Sequence, residues 1–238
     1  MQPALITLNW NGQQVAAVAV GTKVGHIFIL DRESSEPLFP IQERPVPQTD
    51  VSGEETWPTQ PFPTQLPLCG LRHLSPDDAW GPAPEQRAAG REWIASLRSD
   101  GPFTPVSLRG SIEAPSNVGG FNWGGLSYDP ARQLLVRATN RIAGVVQLTP
   151  RAESASDQNA GNRFSLETGE QRGTPYVLTR TYLLNSETRL PYSPPPWGTL
   201  VAVDLGDGSL AWEAPLGFMA DPAEFPDAPN WGSINLSR

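Results

Sequence analysis

The sequence predicts an all-β, loop-rich fold with long excursions and one or two short helices. Three observations predict it. The first is composition: 22 glycines and 26 prolines among 238 residues are about a fifth of the chain, well above average usage yet short of a low-complexity segment. The second is a set of short β-branched or aromatic runs bounded by turn residues. The third is a module that occurs twice, Gly25 to Phe39 and Gly198 to Trp212: glycine, spacer, alternating strand ending in aspartate (Asp31, Asp204), short turn, strand and aromatic residue (Phe39, Trp212). Such copies are what radial repetition of four-stranded blades leaves in a sequence.

Taken in order, Leu5 to Asn9, the Asn11-Gly12 dipeptide and Val15 to Val20 predict a hairpin, because Asn-Gly readily adopts the positive φ values of a type I′ turn. A third strand is expected at His26 to Asp31, broken by Glu33 to Glu36. Prolines at 40, 45, 47, 58, 61, 63, 67, 76, 82 and 84 are too dense for a central strand or helix interior, so residues 40–100 read as a long ordered excursion. Within it, Ala89, Trp93, Ile94 and Leu97 share one face at helical spacing, predicting a helix over 85–98. From 103 to 148 β character returns, with glycine pairs at 119–120 and 124–125 around Phe121-Asn122-Trp123 and adjacent strands beyond. Residues 151–173 are polar and read as a surface loop, strands resume at Tyr176 to Leu184, and a last hairpin runs from Trp197 to Trp212. The whole of 1–238 is read as one domain.

Net charge of −8 and a pI near 4.8 give no broad attraction to phosphate backbones, so nucleic acid is not an expected partner. The longest apolar run, Val15 to Val20, is six residues, far below the roughly 20 that span a bilayer as a helix. Met1 is followed by a strand-like segment with no leader pattern; for an exported parent the leader is expected upstream. The single cysteine, Cys69, excludes an internal disulfide and reads as a half-buried apolar residue. His26 and His73 are far apart without ligand-spaced partners, so no metal site is expected within the chain.

Ala202-x-Asp204-x-x-x-Gly208-x-x-x-Trp212 resembles the tryptophan-docking motif of quinoprotein dehydrogenases. More specific is Thr22-Lys23-x-Gly25-x-Ile27-Phe28-x-Leu30-Asp31-Arg32, followed by Pro45-Val46-Pro47-Gln48 and Pro58-Thr59-Gln60-Pro61-Phe62. This series looks like the membrane-bound glucose, quinate and polyol dehydrogenase group that uses pyrroloquinoline quinone (PQQ). The likeness continues through Asp77 to Gly81, Gly120 to Gly125, Pro196-Trp197-Gly198 and Pro215-Leu216-Gly217.

The resemblance implies part of an eight-bladed β-propeller from a periplasmic enzyme. It implies oxidation of a sugar or polyol hydroxyl with PQQ held by calcium or magnesium, and a respiratory quinone or cytochrome as electron acceptor. Lys23 matches the lysine that donates hydrogen bonds to the quinone oxygens. Asn122 and Trp123 could bring an amide and an indole to the cofactor, although their flanking glycines equally permit tight backbone packing. Relatives carry a cofactor asparagine where this chain has Ala138, with Asn140 close by. The family's base, in a His-x-Asp-Leu-Trp-Asp segment, and its metal ligands are expected upstream, as is any membrane attachment. The isolated chain is therefore expected to be an inactive fragment. The alternative is a non-catalytic propeller module for protein interaction, which needs the docking aromatics but not Lys23.

Overall fold

The computed structural model describes residues 2–71, 73–153 and 167–235. The predicted hairpin is present as β1 (Ala4–Trp10) and β2 (Gln13–Gly21), paired antiparallel from Ala4 opposite Ala19 to Trp10 opposite Gln13. Asn11 and Gly12 supply the turn with φ of 52° and 81°. β3 (Ile27–Asp31) pairs with β2, and a bridge from Leu30 to Pro37 adds a fourth position to this first sheet.

The proline-rich excursion contains a two-stranded ribbon, β4 (Ile41–Pro45) with β5 (Thr59–Pro63). It is compatible with the prolines because no third strand pairs with it in the described residues. The predicted helix is α1 (Pro84–Ser96), with proline in its first turn. It ends one residue before Leu97, which is already extended. A Cβ on Gly90 would lie 2.5 Å from the Tyr192 ring, so this glycine lets the helix rest on the tyrosine face.

The remaining strands are β6 (Ser111–Glu113), β7 (Ser127–Asp129), β8 (Leu134–Asn140), β9 (Gly144–Pro150), β10 (Glu167–Gly169), β11 (Tyr176–Tyr182), β12 (Gly198–Asp204) and β13 (Leu210–Pro215). They form two four-stranded antiparallel sheets, ordered β10-β11-β9-β6 and β13-β12-β8-β7. The two are interleaved: the chain lays down β6, leaves to make β7 and β8, returns for β9 to β11, then completes the other sheet with β12 and β13. The β region expected over 103–148 is thus divided between two sheets. Part of the polar loop expected at 151–173 is strand, since β10 pairs with β11 through Glu167 opposite Arg180 to Gly169 opposite Leu178; an edge strand needs backbone partners, not apolar side chains. Residues 154–166 of that loop lie outside the described residues.

Both sequence modules build the same turn. The Asp31 N–H donates to Glu36 O and Ser35 N–H to Asp31 O; correspondingly Asp204 N–H donates to Ser209 O and Gly208 N–H to Asp204 O. The residue four beyond the aspartate has positive φ in each, 66° at Ser35 and 80° at Gly208. A third copy, centred on Asn185, repeats the pattern: Asn185 N–H to Leu190 O, Arg189 N–H to Asn185 O, Arg189 at φ 62°, and a bridge from Leu184 to Pro191.

One core joins the β1–β3 sheet to the β7-β8-β12-β13 sheet, uniting Ile6, Leu8, Ile27 and Ile29 with Leu135, Val201, Val203 and Leu205. Asn9 N–H to Gln133 Oε1 (2.8 Å) and Tyr128 Oη to Thr7 O (3.1 Å) tie the same sheets at their rims. Phe39 is 1% exposed in this core, edge-on to Trp10 at 4.8 Å and against Gly208. Its counterpart Trp212 is 41% exposed on β13, whose residues are all exposed. Phe39→Ala is therefore expected to cost about 3–5 kcal/mol in urea unfolding, and Trp212→Ala about 1 kcal/mol or less. A second core packs α1 on the β6-containing sheet through Ile94, Ile112, Val145, Leu183 and Tyr192. A third gathers Trp80, Trp197 and Trp231 at ring separations of 4.9–5.6 Å. Cys69, expected to be half-buried, is fully buried, and this burial pushes its thiol up to about 12.

Candidate functional site

Lys23 follows β2 in a closed turn: Thr22 N–H donates to His26 O, Gly25 N–H to Thr22 O, and His26 N–H to Thr22 Oγ1. His26, expected within the third strand, lies just before β3 and is buried beside Phe28, Phe62 and Phe103. Lys23 is the only lysine in the chain, a signal in plain composition that marks it independently of any motif. Its Nζ donates to Asn117 O (3.0 Å), Val118 O (3.0 Å) and Asn122 Oδ1 (3.1 Å). An ammonium has three N–H bonds, so all of its donors are directed at one loop, 117–122. Partial burial lowers the Lys23 pKa below that of a free lysine, and the nearby Glu113 carboxylate opposes that shift.

Glycines make this approach possible. A Cβ on Gly25 would lie 2.4 Å from Gly70 N, one on Gly120 would lie 2.9 Å from Gly25 Cα, and one on Gly119 would lie 2.3 Å from Lys23 Cδ. Three stretches of backbone therefore meet where side chains would separate them. They are joined by Gly120 N–H to Lys23 O (2.7 Å) and Cys69 N–H to Gly25 O (3.1 Å).

Of the other residues singled out in the sequence, Asn122 is brought directly to Lys23. It is 7% exposed, and its carbonyl accepts from Arg137 Nη2 at 2.7 Å. Trp123 is 69% exposed, so most of the residue is open to solvent. Asn140 lies behind the loop: its Nδ2 donates to Gly119 O (3.3 Å) and Asn235 O (3.0 Å), and its Oδ1 accepts from Asn235 N–H (2.6 Å). In this arrangement its amide holds backbone rather than facing Lys23.

Beside Lys23 is a cavity of about 310 Å³ whose lining includes Phe103, Thr104, Glu113, Ser116 and Asn117. Sequence reasoning gave no role to Glu113 or Asn117. Asn117 hydrogen-bonds the lysine and Glu113 shares its cavity, each from about ninety residues away in sequence, and neither belongs to a motif. Among the described residues, no group of three or more His, Cys, Asp or Glu could hold a metal ion, and no helix is long and apolar enough to cross a membrane.

A flat, anionic quinone would meet here a localised positive charge whose N–H bonds are held by the protein, an adjacent amide and an exposed indole. Two interleaved four-stranded antiparallel sheets, repeated aspartate- or asparagine-led turns and a lysine held at a glycine-lined loop beside a cavity are the features that a comparison with known proteins must account for. Residues 1–237 match the model of the PQQ-dependent glucose/ethanol/alcohol dehydrogenase β-propeller domain, and the chain belongs to this family. It is 36% identical over 230 residues to a probable quinate dehydrogenase (quinone) from Xanthomonas campestris pv. juglandis, covering 94% of this chain and 29% of the relative. It is 34% identical over 231 residues to quinoprotein glucose dehydrogenase from Escherichia coli K12, covering 94% and 28%. It is 33% identical over 219 residues to the glycerol dehydrogenase large subunit of Gluconobacter oxydans 621H, covering 87% and 30%. The chain thus spans under a third of the length of these relatives.

Proposed function

We propose that this chain is the Lys23-bearing sector of an eight-bladed, PQQ-dependent dehydrogenase that oxidises a sugar or polyol hydroxyl. The observation that carries this reading is the sole lysine, its three N–H bonds fixed on the loop that also presents Asn122 and Trp123. The names of the relatives, spanning quinate, glucose and glycerol, support a polyhydroxylated substrate.

Bound PQQ supplies a two-electron acceptor for the hydride that leaves the carbinol carbon. With the cofactor bound, Lys23 would supply a fixed positive charge for the quinone oxygens, already oriented by its three hydrogen bonds. Asn122 fixes the ammonium and offers its own amide N–H bonds. Trp123 provides an uncovered aromatic face on which a flat ring can stack. Loop 117–122 is stiffened from behind by Asn140 and Arg137. The aspartate that takes the hydroxyl proton, and the ligands of calcium or magnesium, belong in this reading to sequence outside the chain. The enzyme is assigned to the periplasm, with a respiratory quinone or cytochrome as its electron acceptor.

Dye-linked oxidation assays test this directly. The longer protein containing this segment, supplied with PQQ and calcium, is expected to oxidise a member of a glucose, quinate, inositol and glycerol panel. The isolated 238-residue chain is expected to give no turnover. PQQ-dependent turnover by the chain alone would show that its own residues include the base, and a longer protein inert on the whole panel would favour a non-catalytic propeller.

A further inference from the structure

We infer that Glu113 is a positioning residue for the lysine site, the built-in counter-ion that keeps Lys23 charged and aimed. The inference rests on the cofactor reading above for its purpose, though not for its geometry. Glu113 ends β6, and it and Lys23 line the same cavity. Asn117, four residues beyond Glu113 in the same cavity lining, accepts from Lys23 Nζ through its C=O at 3.0 Å. Glu113 Oε2 is buried with no hydrogen-bond partner, so this carboxylate has capacity its own strand does not use. A buried oxygen lacking a direct partner is costly, and nearby cationic charge is what makes an ionised carboxylate tolerable there.

The other groups acting on Glu113 come from β11. Arg180 is a second cation, but it is itself bonded to Glu167 of β10. Tyr182 is neutral, with a phenol held up by burial and hydrogen-bonded to the Asn117 side chain. Burial moves the Glu113 carboxyl upward, opposed by Arg180, then by the Asn117 backbone and last by Lys23. The ionised Glu113 carboxylate is the charge set against Lys23 in this cavity. The positive form of Lys23 is stabilised by that charge, and removal of the charge lowers the lysine pKa further.

Because the chain has a single lysine, ¹³Cε-lysine labelling gives one side-chain resonance with no assignment problem. In the 238-residue chain, Glu113→Gln is expected to raise the acid dissociation constant of Lys23 roughly tenfold, with Glu113→Asp recovering part of the shift. In the wild-type chain the same resonance is expected to show a second, smaller inflection above the ordinary carboxylate range as Glu113 titrates, a readout that needs no substitution. An unchanged Lys23 titration in Glu113→Gln, or a wild-type curve with only the alkaline inflection, overturns the pairing. PQQ affinity of the longer protein separates the two claims. Coupling without any effect of Lys23→Ala on PQQ affinity overturns the cofactor reading and leaves the pair intact; Lys23-dependent PQQ binding without coupling overturns the pair alone.

Discussion

Lys23→Ala in the longer protein is expected to lower PQQ-dependent turnover by about 10²–10³-fold, the effect typical of removing one preorganised electrostatic group from a reaction centre. Folding is expected to lose only about 1–2 kcal/mol, because Lys23 fills no core although its three hydrogen bonds to loop 117–122 go. Loss of activity far beyond what this shift in unfolding midpoint explains distinguishes the outcome from a structural one. Arginine is expected to restore only part of the activity: its planar fork cannot reproduce three hydrogen bonds from one nitrogen to Asn117 O, Val118 O and Asn122 Oδ1. The pH dependence has a definite sign. In the proposed role the active form is the ammonium, and partial burial lowers its pKa below the usual lysine value, so turnover is expected to fall as pH rises through that lowered pKa. The alkaline limb in wild type therefore lies below the range of a free lysine.

Gly25→Ala is expected to destabilise the chain by about 3 kcal/mol or more in urea unfolding, the largest stability effect we anticipate from adding one methyl group. Two penalties coincide there. Gly25 has φ of +96°, and its new Cβ would lie 2.4 Å from Gly70 N and 2.7 Å from Gly70 Cα, backbone atoms that cannot rotate away. Gly12→Ala is the control, with a similar φ of +81° and nothing within 4 Å of the added carbon; its expected cost is the conformational part alone, about 1–2 kcal/mol. The difference between the two measures how tightly the Lys23 turn is wedged against the segments at Gly70 and Gly120. A Gly25→Ala cost no greater than that of Gly12→Ala would mean that these segments yield easily, and that the site is not held by backbone packing.

The sequence made the local parts legible. Asn11-Gly12 announced the β1–β2 hairpin, and Asp31 and Asp204 announced two docking turns, because each carries its conformational instruction within a few residues. The third turn, at Asn185, was hidden: asparagine replaces aspartate as the acceptor, and Ser193 stands where the other copies carry Phe39 and Trp212. Its backbone hydrogen bonds are nevertheless the same. The interleaving of the two four-stranded sheets was also invisible, since alternation reports that a segment is extended and not which sheet receives it.

The site divides in the same way. Lys23 and Asn122 could be found through family resemblance, and the structure brings them within hydrogen-bond distance. Glu113 and Asn117 could not, because their link to Lys23 depends on where β6 ends relative to the turn after β2. Asn140 was singled out for its neighbourhood to a family position. Its place at the end of β8, pairing with Gly198 of β12, turns its side chain to the task of holding Gly119 and Asn235.

The central claim, that Lys23 meets the quinone, is tested most directly by residue-resolved acetylation of the longer protein with and without PQQ, read by mass spectrometry on the Lys23 peptide. Lys23 is an exposed residue in the structure. Contact with the cofactor predicts that saturating PQQ slows its acetylation by about tenfold or more, while surface lysines elsewhere in the longer protein react at unchanged rates. Equal Lys23 rates with and without bound PQQ would contradict the account.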